Sequence, residues 1–231
     1  MTRAIHDGAT GSEGGDAPLA KSRLPLSHAL WGIDWNDRLP FQVGELVVMA
    51  SRFEDARPFI QDSYGSVFEE DAGSGVFATD MSSAKQRYYD LAGDFFEVRH
   101  GQRTVGLLVC TPTDWSTYYI RSAALLPDYQ GARIIQNFYC RVLFPMLQAA
   151  GVERIELDTS PANLAMMHIA TRLKFNQTGT LLSERWGAII HFTKFLNAEK
   201  EDVFLRQFCA GVKYQLRDRL ESGGSSERST R

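Results

Sequence analysis

The segment from residue 118 to residue 159 constrains the fold of this chain more than any other part of it. A strand-like run at residues 118–126 breaks at Pro127, and a helix with apolar residues at helical spacing follows at about 132–150. Residues 153–159 then alternate between apolar and polar, which is typical of a strand with one buried face. This order predicts two parallel strands joined by a helical crossover.

The elements on either side continue a mixed order of strands and helices. Strands are predicted at residues 44–50, 95–99, 104–110, 179–184 and 187–196, and helices at 53–68, 81–92, 160–173 and 199–216. Asp80 and the Ser160-Pro161 pair are of the types that begin helices, and Pro145 should kink or interrupt the long helix. We therefore predict an α/β (α+β) fold, with a mixed central sheet of about six to seven strands and helices on both faces.

Composition separates a folded body from two tails. Residues 1–27 and 221–231 are rich in Gly and Ser and are predicted to be disordered, whereas residues 28–220 form one domain. The 44% hydrophobic content favours a packed core, and the net charge of −3 argues against a nucleic-acid-binding protein. No stretch reaches transmembrane length, so we predict a soluble cytoplasmic protein that does not bind membranes. The three cysteines lack the spacing of a zinc site, and no metal is predicted.

The turn between the strand and the helix of the crossover has the properties of an anion site. It runs from Leu125 through Pro127, Gln130 and Gly131 to Ile135. A helix that opens directly after a turn leaves its first N–H groups without backbone acceptors, and the helix dipole adds partial positive charge there. Phosphate groups bind well at such ends.

This turn resembles the acyl-CoA pyrophosphate loop of the GNAT superfamily of N-acetyltransferases, whose motif reads roughly Gln/Arg-x-x-Gly-x-Gly/Ala. Gln130 matches the first position, while Arg133 and Ile135 stand where the family has glycine or alanine. A second match covers 163–175, where the family frame Asn-x-x-Ala-x-x-x-Tyr-x-x-x-Gly-Phe keeps its first and last residues. With the element order, the resemblance extends over about 170 residues, from 44 to about 216.

The resemblance implies acetyl-CoA or another acyl-CoA as co-substrate. The implied binding residues are Leu125, Leu126, Gln130, Gly131, Ala132, Arg133, Ile134, Ile135 and Asn163. The backbone N–H of Leu125 or Leu126 would polarise the thioester carbonyl, and Asn163 would contact the pantetheine arm or order the nearby loop. Arg133 either pairs with phosphate or is simply a solvated residue in the first turn of the helix.

The catalytic residues are less clearly indicated. Ala170 occupies the position at which the family often has a Tyr that protonates the departing thiolate, so that acid is missing. Glu97 is the candidate base, and Tyr119 or Arg121 is the candidate for contact with the acceptor or its carboxylate. Alternatively, Glu97 lies on the exposed face of a half-buried strand. Glu156 and Asp158 would bind a cationic acceptor if their face is covered, and would only increase solubility if it is not.

The function implied is that of an N-acyltransferase, which moves an acyl group from an acyl-CoA to an amine of a small molecule, a peptide or a protein. Two alternatives remain. The donor is the phosphopantetheine of an acyl carrier protein, which needs fewer contacts to pyrophosphate, or the chain is a catalytically silent GNAT-like module that binds a ligand or partner. A homodimer formed through the last strands is physically plausible.

Overall fold

The computed structural model describes residues 24–67, 83–183 and 187–208. Its centre is one eight-stranded mixed sheet, in the order β1-β2-β3-β4-β5-β6-β8-β7. The strands are β1 (Phe41–Val43), β2 (Leu46–Ser51), β3 (Asp94–His100), β4 (Arg103–Pro112), β5 (Thr117–Leu125), β6 (Arg154–Thr159), β7 (Asn176–Ser183) and β8 (Gly187–Phe195). The pairing of β5 with β6 is parallel and the other pairings are antiparallel, which confirms the predicted crossover.

Helices lie on both faces of this sheet. They are α1 (Leu26–Trp31), α2 (Phe53–Val67), α3 (Ser83–Ala92), α4 (Ile134–Phe138), α5 (Phe144–Ala149), α6 (Leu164–Arg172) and α7 (Ala198–Phe208), with one-turn 3₁₀ helices at Trp35–Asp37 and Pro127–Tyr129. None of these helices, within the part of the chain that the structure describes, has the length and apolar character needed to cross a membrane.

The predicted fold class is confirmed, but the strand count was too low by one. The additional strand, β1, has three residues, of which Phe41 pairs with Val48 of β2. Three residues are too few to display a two-residue alternation, so the sequence pattern did not reveal this strand.

The two faces of the sheet carry separate cores. The larger core packs the α4–α5 segment on one face, with Tyr118, Phe138 and Leu157 fully or almost fully buried. The smaller one packs α2 on the other face, around Phe59 and Val109. In β6, as predicted, Ile155, Leu157 and Thr159 are buried on the face of the larger core, and the polar residues between them face the α2 side.

The long crossover helix changes its winding just before Pro145. A π-helical turn, Tyr139–Leu143, separates α4 from α5, and the N–H of Phe144 bonds to the carbonyl of Tyr139. Proline has no N–H to donate. In a π turn the hydrogen bonds join residues five apart instead of four, so a different carbonyl is left without the donor that proline lacks. The predicted interruption at Pro145 is therefore present as a π turn.

Two predicted ends differ from the structure. The cap of α6 is Asn163 rather than Ser160, because the Asn163 side chain accepts a hydrogen bond from the N–H of Met166 at 3.1 Å while residues 161–162 form a turn. In the described residues, α1 begins at Leu26, within the segment 1–27 that was predicted as a tail, and the domain boundaries stay a prediction. Asp80, the turn at 184–186, helical residues beyond 208 and most of both predicted tails lie outside the described residues.

A buried polar cluster anchors α1 to the sheet. Asp94, at the start of β3, is 4% exposed and accepts hydrogen bonds from Ser27 of α1 at 2.7 Å and from the Tyr118 hydroxyl at 2.8 Å. The Trp35 ring packs against Tyr118 and edge-on to Phe96, so this tryptophan closes the core.

The charge of Asp94 should make stability depend on pH. Burial raises its pKa from the ordinary 3.8, although hydrogen bonds from Ser27 and Tyr118 act in the opposite direction. An acid with a raised folded-state pKa binds more protons in the folded than in the unfolded protein. Its contribution to stability therefore falls as pH rises from about 3.8 through the folded-state value.

We expect Asp94→Asn to remove this contribution. Urea unfolding between pH 4 and 8 should show that the free energy of unfolding of the variant, relative to the unmodified protein, increases with pH and then levels off. Asp62→Asn makes the same change at an exposed carboxylate on α2 and serves as the control. A flat difference for Asp94→Asn would contradict the assigned cause.

Candidate active site

The sheet opens between β5 and β6. These parallel strands pair from Thr117 with Arg154 to Ile120 with Leu157, and there the pairing ends. β5 nevertheless continues to Leu125 and β6 to Thr159, so their carboxyl ends have separated. The opening thus exposes one edge of β5 over its last residues.

A β-bulge lies where the two strands part. Val109 of β4 pairs with Ser122 and Cys110 pairs with Ile120, which leaves Arg121 as the additional residue of β5. Bulges increase the local twist of a strand and re-aim its continuation. The bulge at Arg121 therefore accounts for the separation of β5 from β6 directly after Ile120.

The bulge and the strand alternation decide which N–H groups face the opening. The N–H of Leu126 donates to the carbonyl of Val105 in β4 at 2.9 Å, so it is already engaged. Successive N–H groups of a strand point to opposite edges, which directs those of Leu125 and Ala123 towards the opening. Of the two residues predicted to polarise a thioester, Leu125 alone has its N–H aimed there, and Ala123 is a further donor that the sequence did not indicate.

The turn after β5 presents a row of unpaired donors at the same end of the sheet. Among the described residues, the N–H groups of 131–136 have no acceptor, and the first helical bond runs from Asn137 to the carbonyl of Arg133. Gln130 is exposed, and its side chain donates to the carbonyl of Leu125 at 3.1 Å, which fixes the turn to the strand. Gly131, Ala132 and Arg133 are exposed, whereas Ile134 and Ile135 are buried in the core.

The backbone keeps the conformation of glycine at two positions where the family motifs have glycine. Arg133 has φ +57° and Lys174 has φ +59°, and among the described residues these are the two non-glycine residues with positive φ. L-residues adopt this left-handed conformation at a cost of about 1–2 kcal/mol. The substitutions therefore change the side chains at these positions but leave the backbone path of the motif in place.

The residues of the second motif have structural partners. Asn163 caps α6 through its side-chain oxygen, so the predicted alternative of ordering the loop is supported by a contact. Ala170 is fully buried, and Phe175 lies in the larger core. Neither Ala170 nor Phe175 has a side-chain proton to donate to a departing thiolate.

A network of polar side chains lies at the point where β5 and β6 part. The Tyr119 hydroxyl donates to Asp158 Oδ2 at 2.9 Å, and His191 Nδ1 of β8 lies 2.6 Å from Asp158 Oδ1. Asp158 directly follows Leu157, the last residue of β6 that pairs with β5. The side chains of Asp158 and His191 are 27% and 26% exposed, so the network is reachable from solvent.

Charges around this network are largely paired. Arg154 contacts Glu156 at 3.0 Å and Asp114 at 3.5 Å, and Glu156 Oε2 lies 3.9 Å from His191 Nε2. Burial and the negative charge of Asp158 raise the pKa of Tyr119 far above its ordinary value, so this phenol keeps its proton at neutral pH. Glu156 and Asp158 thus belong to an organised polar site and are not merely solubilising.

Glu97 lies in a different environment. It is 1% exposed, and its carboxylate accepts hydrogen bonds from Ser51 at 2.7 Å, Arg99 at 2.8 Å and Thr104 at 3.0 Å. The alternative of an exposed strand face is therefore wrong, because α2 and the flanking strands cover this residue. Its catalytic role stays a prediction. Both oxygens of this carboxylate already accept hydrogen bonds.

His191 is the residue that sequence reasoning missed. It is 33 residues from Asp158 and was read as one position in a closing strand. The pairing of β6 with β8 rather than β7 brings the two together. A signal existed in the sequence, since His191 is the one ionisable side chain within 187–193, but no local pattern indicates its partner.

The family model described as the acetyltransferase (GNAT) family matches residues 58–175, which is 118 of the 231 residues. The chain therefore belongs to the GNAT acetyltransferase family, as the motifs suggested.

Solved structures with the same fold agree. SpeG from Vibrio cholerae, a spermidine N-acetyltransferase solved with CoA and spermine, is 15% identical and aligns over 67% of this chain and 97% of its own, with a TM-score of 0.51. The structure of yncA from Salmonella typhimurium, solved with acetyl-CoA, is 14% identical and aligns over 67% of this chain and 96% of its own, with a TM-score of 0.52. A GNAT-family acetyltransferase from Streptococcus pneumoniae is 12% identical and aligns over 66% of this chain and 100% of its own, with a TM-score of 0.53. At these identities the likeness concerns the fold. A search of curated proteins found no match.

Proposed function

We propose that this protein transfers an acyl group, with acetyl as the first choice, from an acyl-CoA thioester to an amine. The observation that carries the proposal is the combination, at one end of the sheet, of the opening between β5 and β6 and the row of unpaired N–H groups at 131–136. An acyl-CoA has a charged diphosphate and an extended amide-containing arm, and these two features match the two parts of the site.

The diphosphate would bind at the N–H row. The N–H groups of this turn lie at the N-terminal end of the crossover helix, which begins with α4, and there the helix dipole favours anions. Arg133 stands in this row, exposed, and can add a charge-assisted hydrogen bond. The pantetheine arm would then lie along the free edge of β5, whose outward N–H and carbonyl groups pair with amides as a neighbouring strand would.

The chemistry requires little covalent assistance from the protein. An N–H from Leu125 or Ala123 would stabilise the negative charge that develops on the thioester oxygen during attack by the amine. The thiolate is an acceptable leaving group because thiols are already fairly acidic, so the absence of a Tyr at Ala170 is tolerated. Tyr119, with its proton retained, would hold Asp158 in position rather than act as a base.

The test combines binding and turnover. Calorimetry with acetyl-CoA, acetyl-pantetheine and an acetylated acyl carrier protein measures which donor binds, and a thiol-release assay with a panel of primary amines measures transfer. We expect micromolar binding of acetyl-CoA, at least tenfold weaker binding of acetyl-pantetheine, and release of CoA that depends on the amine.

Other outcomes would replace the proposal. Binding of the acylated carrier protein without binding of acetyl-CoA would identify the carrier as the donor. No response to any donor would indicate a silent module. The cytoplasmic location stays a prediction, as does a homodimer through the last strands, of which β7 lies at one edge of the sheet.

A further inference from the structure

We propose that His191, held by Asp158, is the base that removes the proton from the attacking amine. The inference rests on the proposed function and names a residue for removal of the amine proton, the step for which the enclosed Glu97 is the candidate from sequence. It is carried by the hydrogen bonds of the Tyr119–Asp158–His191 network and by its place at the opening of the sheet.

The hydrogen bonds determine which imidazole nitrogen is available. An ionised carboxylate can only accept, so the 2.6 Å contact with Asp158 places the proton of the neutral ring on Nδ1. Nε2 is then the nitrogen with the free lone pair, and Glu156 Oε2 lies 3.9 Å from it. This is the arrangement in which a carboxylate orients a histidine and stabilises the imidazolium that forms.

The position of the network agrees with that role. Asp158 is the first residue of β6 beyond its pairing with β5, and Tyr119 precedes the last paired residue of β5. Ala123, whose N–H faces the opening, is three residues beyond Ile120, on the far side of the bulge at Arg121. The network and this N–H therefore lie along the same opening between β5 and β6.

The proposed step balances as follows. The neutral amine nitrogen attacks the thioester carbon, the N–C bond forms, and the carbonyl oxygen carries the negative charge. His191 Nε2 takes a proton from that nitrogen, the carbonyl re-forms, and the C–S bond breaks to release CoA as its thiolate. The imidazolium then gives the proton to the thiolate, which leaves an amide, a thiol and a neutral histidine.

Competing interpretations of the network are weaker. Among the described residues, no group of three or more His, Cys, Asp or Glu side chains is arranged to hold a metal ion. A purely structural network is the main alternative, since Tyr119 and His191 also connect β5 to β8 through Asp158. The experiment must therefore separate basicity from packing.

The experiment compares His191→Ala with His168→Ala, an exposed histidine on α6. We expect His191→Ala to lower kcat by about 10²- to 10⁴-fold, the usual contribution of a general base, with the acetyl-CoA Kd within threefold of the unmodified protein. His168→Ala should leave both values unchanged. Binding of acetyl-CoA also confirms that each variant is folded.

Rescue by small molecules separates the two roles. Added imidazole should raise the turnover rate of His191→Ala at least tenfold. 1,2,4-Triazole has the same shape but is far less basic, and it should not raise the rate. Equal rescue by both would show a packing role and overturn the inference, as would activity within threefold of normal. If the unmodified protein neither binds acetyl-CoA nor releases thiol, the proposed function itself has failed; if it does both and His191→Ala remains active, only the inference has.

Discussion

Arg133→Glu is expected to weaken acetyl-CoA binding by about a hundredfold. A charge-assisted hydrogen bond contributes about 1.5–3 kcal/mol, and its replacement by a repelling carboxylate beside unpaired N–H groups corresponds to a change of this size. Calorimetry at a fixed, moderate salt concentration measures the effect. Salt should matter, because interactions between exposed charges are screened.

Two further variants show what Arg133 contributes. Arg133→Gly keeps the backbone path, relieves the left-handed strain at φ +57° and should raise the melting temperature, while affinity falls only about tenfold because the N–H row remains. Arg141→Glu makes the same charge change at an exposed position further along the crossover helix and is the matched control. If Arg133→Glu and Arg141→Glu weaken binding equally, a general charge effect would explain the result and Arg133 would lose its assigned role.

Arg99→Met is expected to lower the free energy of unfolding by about 3–5 kcal/mol. Arg99 provides two nitrogens at 2.8 Å from Glu97 Oε2, and Glu97 is 1% exposed. Removing the cation leaves a buried carboxylate with only the hydroxyls of Ser51 and Thr104, and an uncompensated buried charge carries a cost of this order. Urea unfolding at pH 7 measures the loss.

The controls for this prediction separate the buried charge from lost side-chain packing. Arg103→Met, at an exposed arginine of the same hairpin, should change stability by no more than about 0.5 kcal/mol. The double variant Glu97→Leu with Arg99→Met should recover most of the loss, because neither charge then remains. A double variant as unstable as Arg99→Met alone would contradict the assigned cause.

The fold was largely predictable because its signals are local. The helical period before Ala150, the alternation around Leu157 and the turn at Gln130-Gly131 each lie within a few residues, and together they define the crossover. What local patterns could not define were ends and short elements. Asn163 rather than Ser160 caps α6, and β1 is too short for its alternation to be recognised.

The candidate site also has one part that local sequence predicted and another that depends on contacts between distant residues. Gln130 and the turn that follows it were predicted from the chain order, since a helix that opens after a strand leaves its donors unpaired wherever it lies. The engagement of Leu126 with Val105 and the freedom of Leu125 depend instead on the register of β4 with β5. Register is set by long-range pairing, so the sequence allowed either residue and the structure separates them.

By itself, the sequence determined the order of elements, the parallel crossover and the position of the turn before the crossover helix, because each follows from the period and chemistry of neighbouring residues. Only the tertiary structure decided that Arg133 and Lys174 adopt the backbone of glycine, that Glu97 is enclosed, and that His191 meets Asp158. The physical reason is that these features depend on contacts between distant parts of the chain. Strand order and register place those parts together, and no local pattern records either.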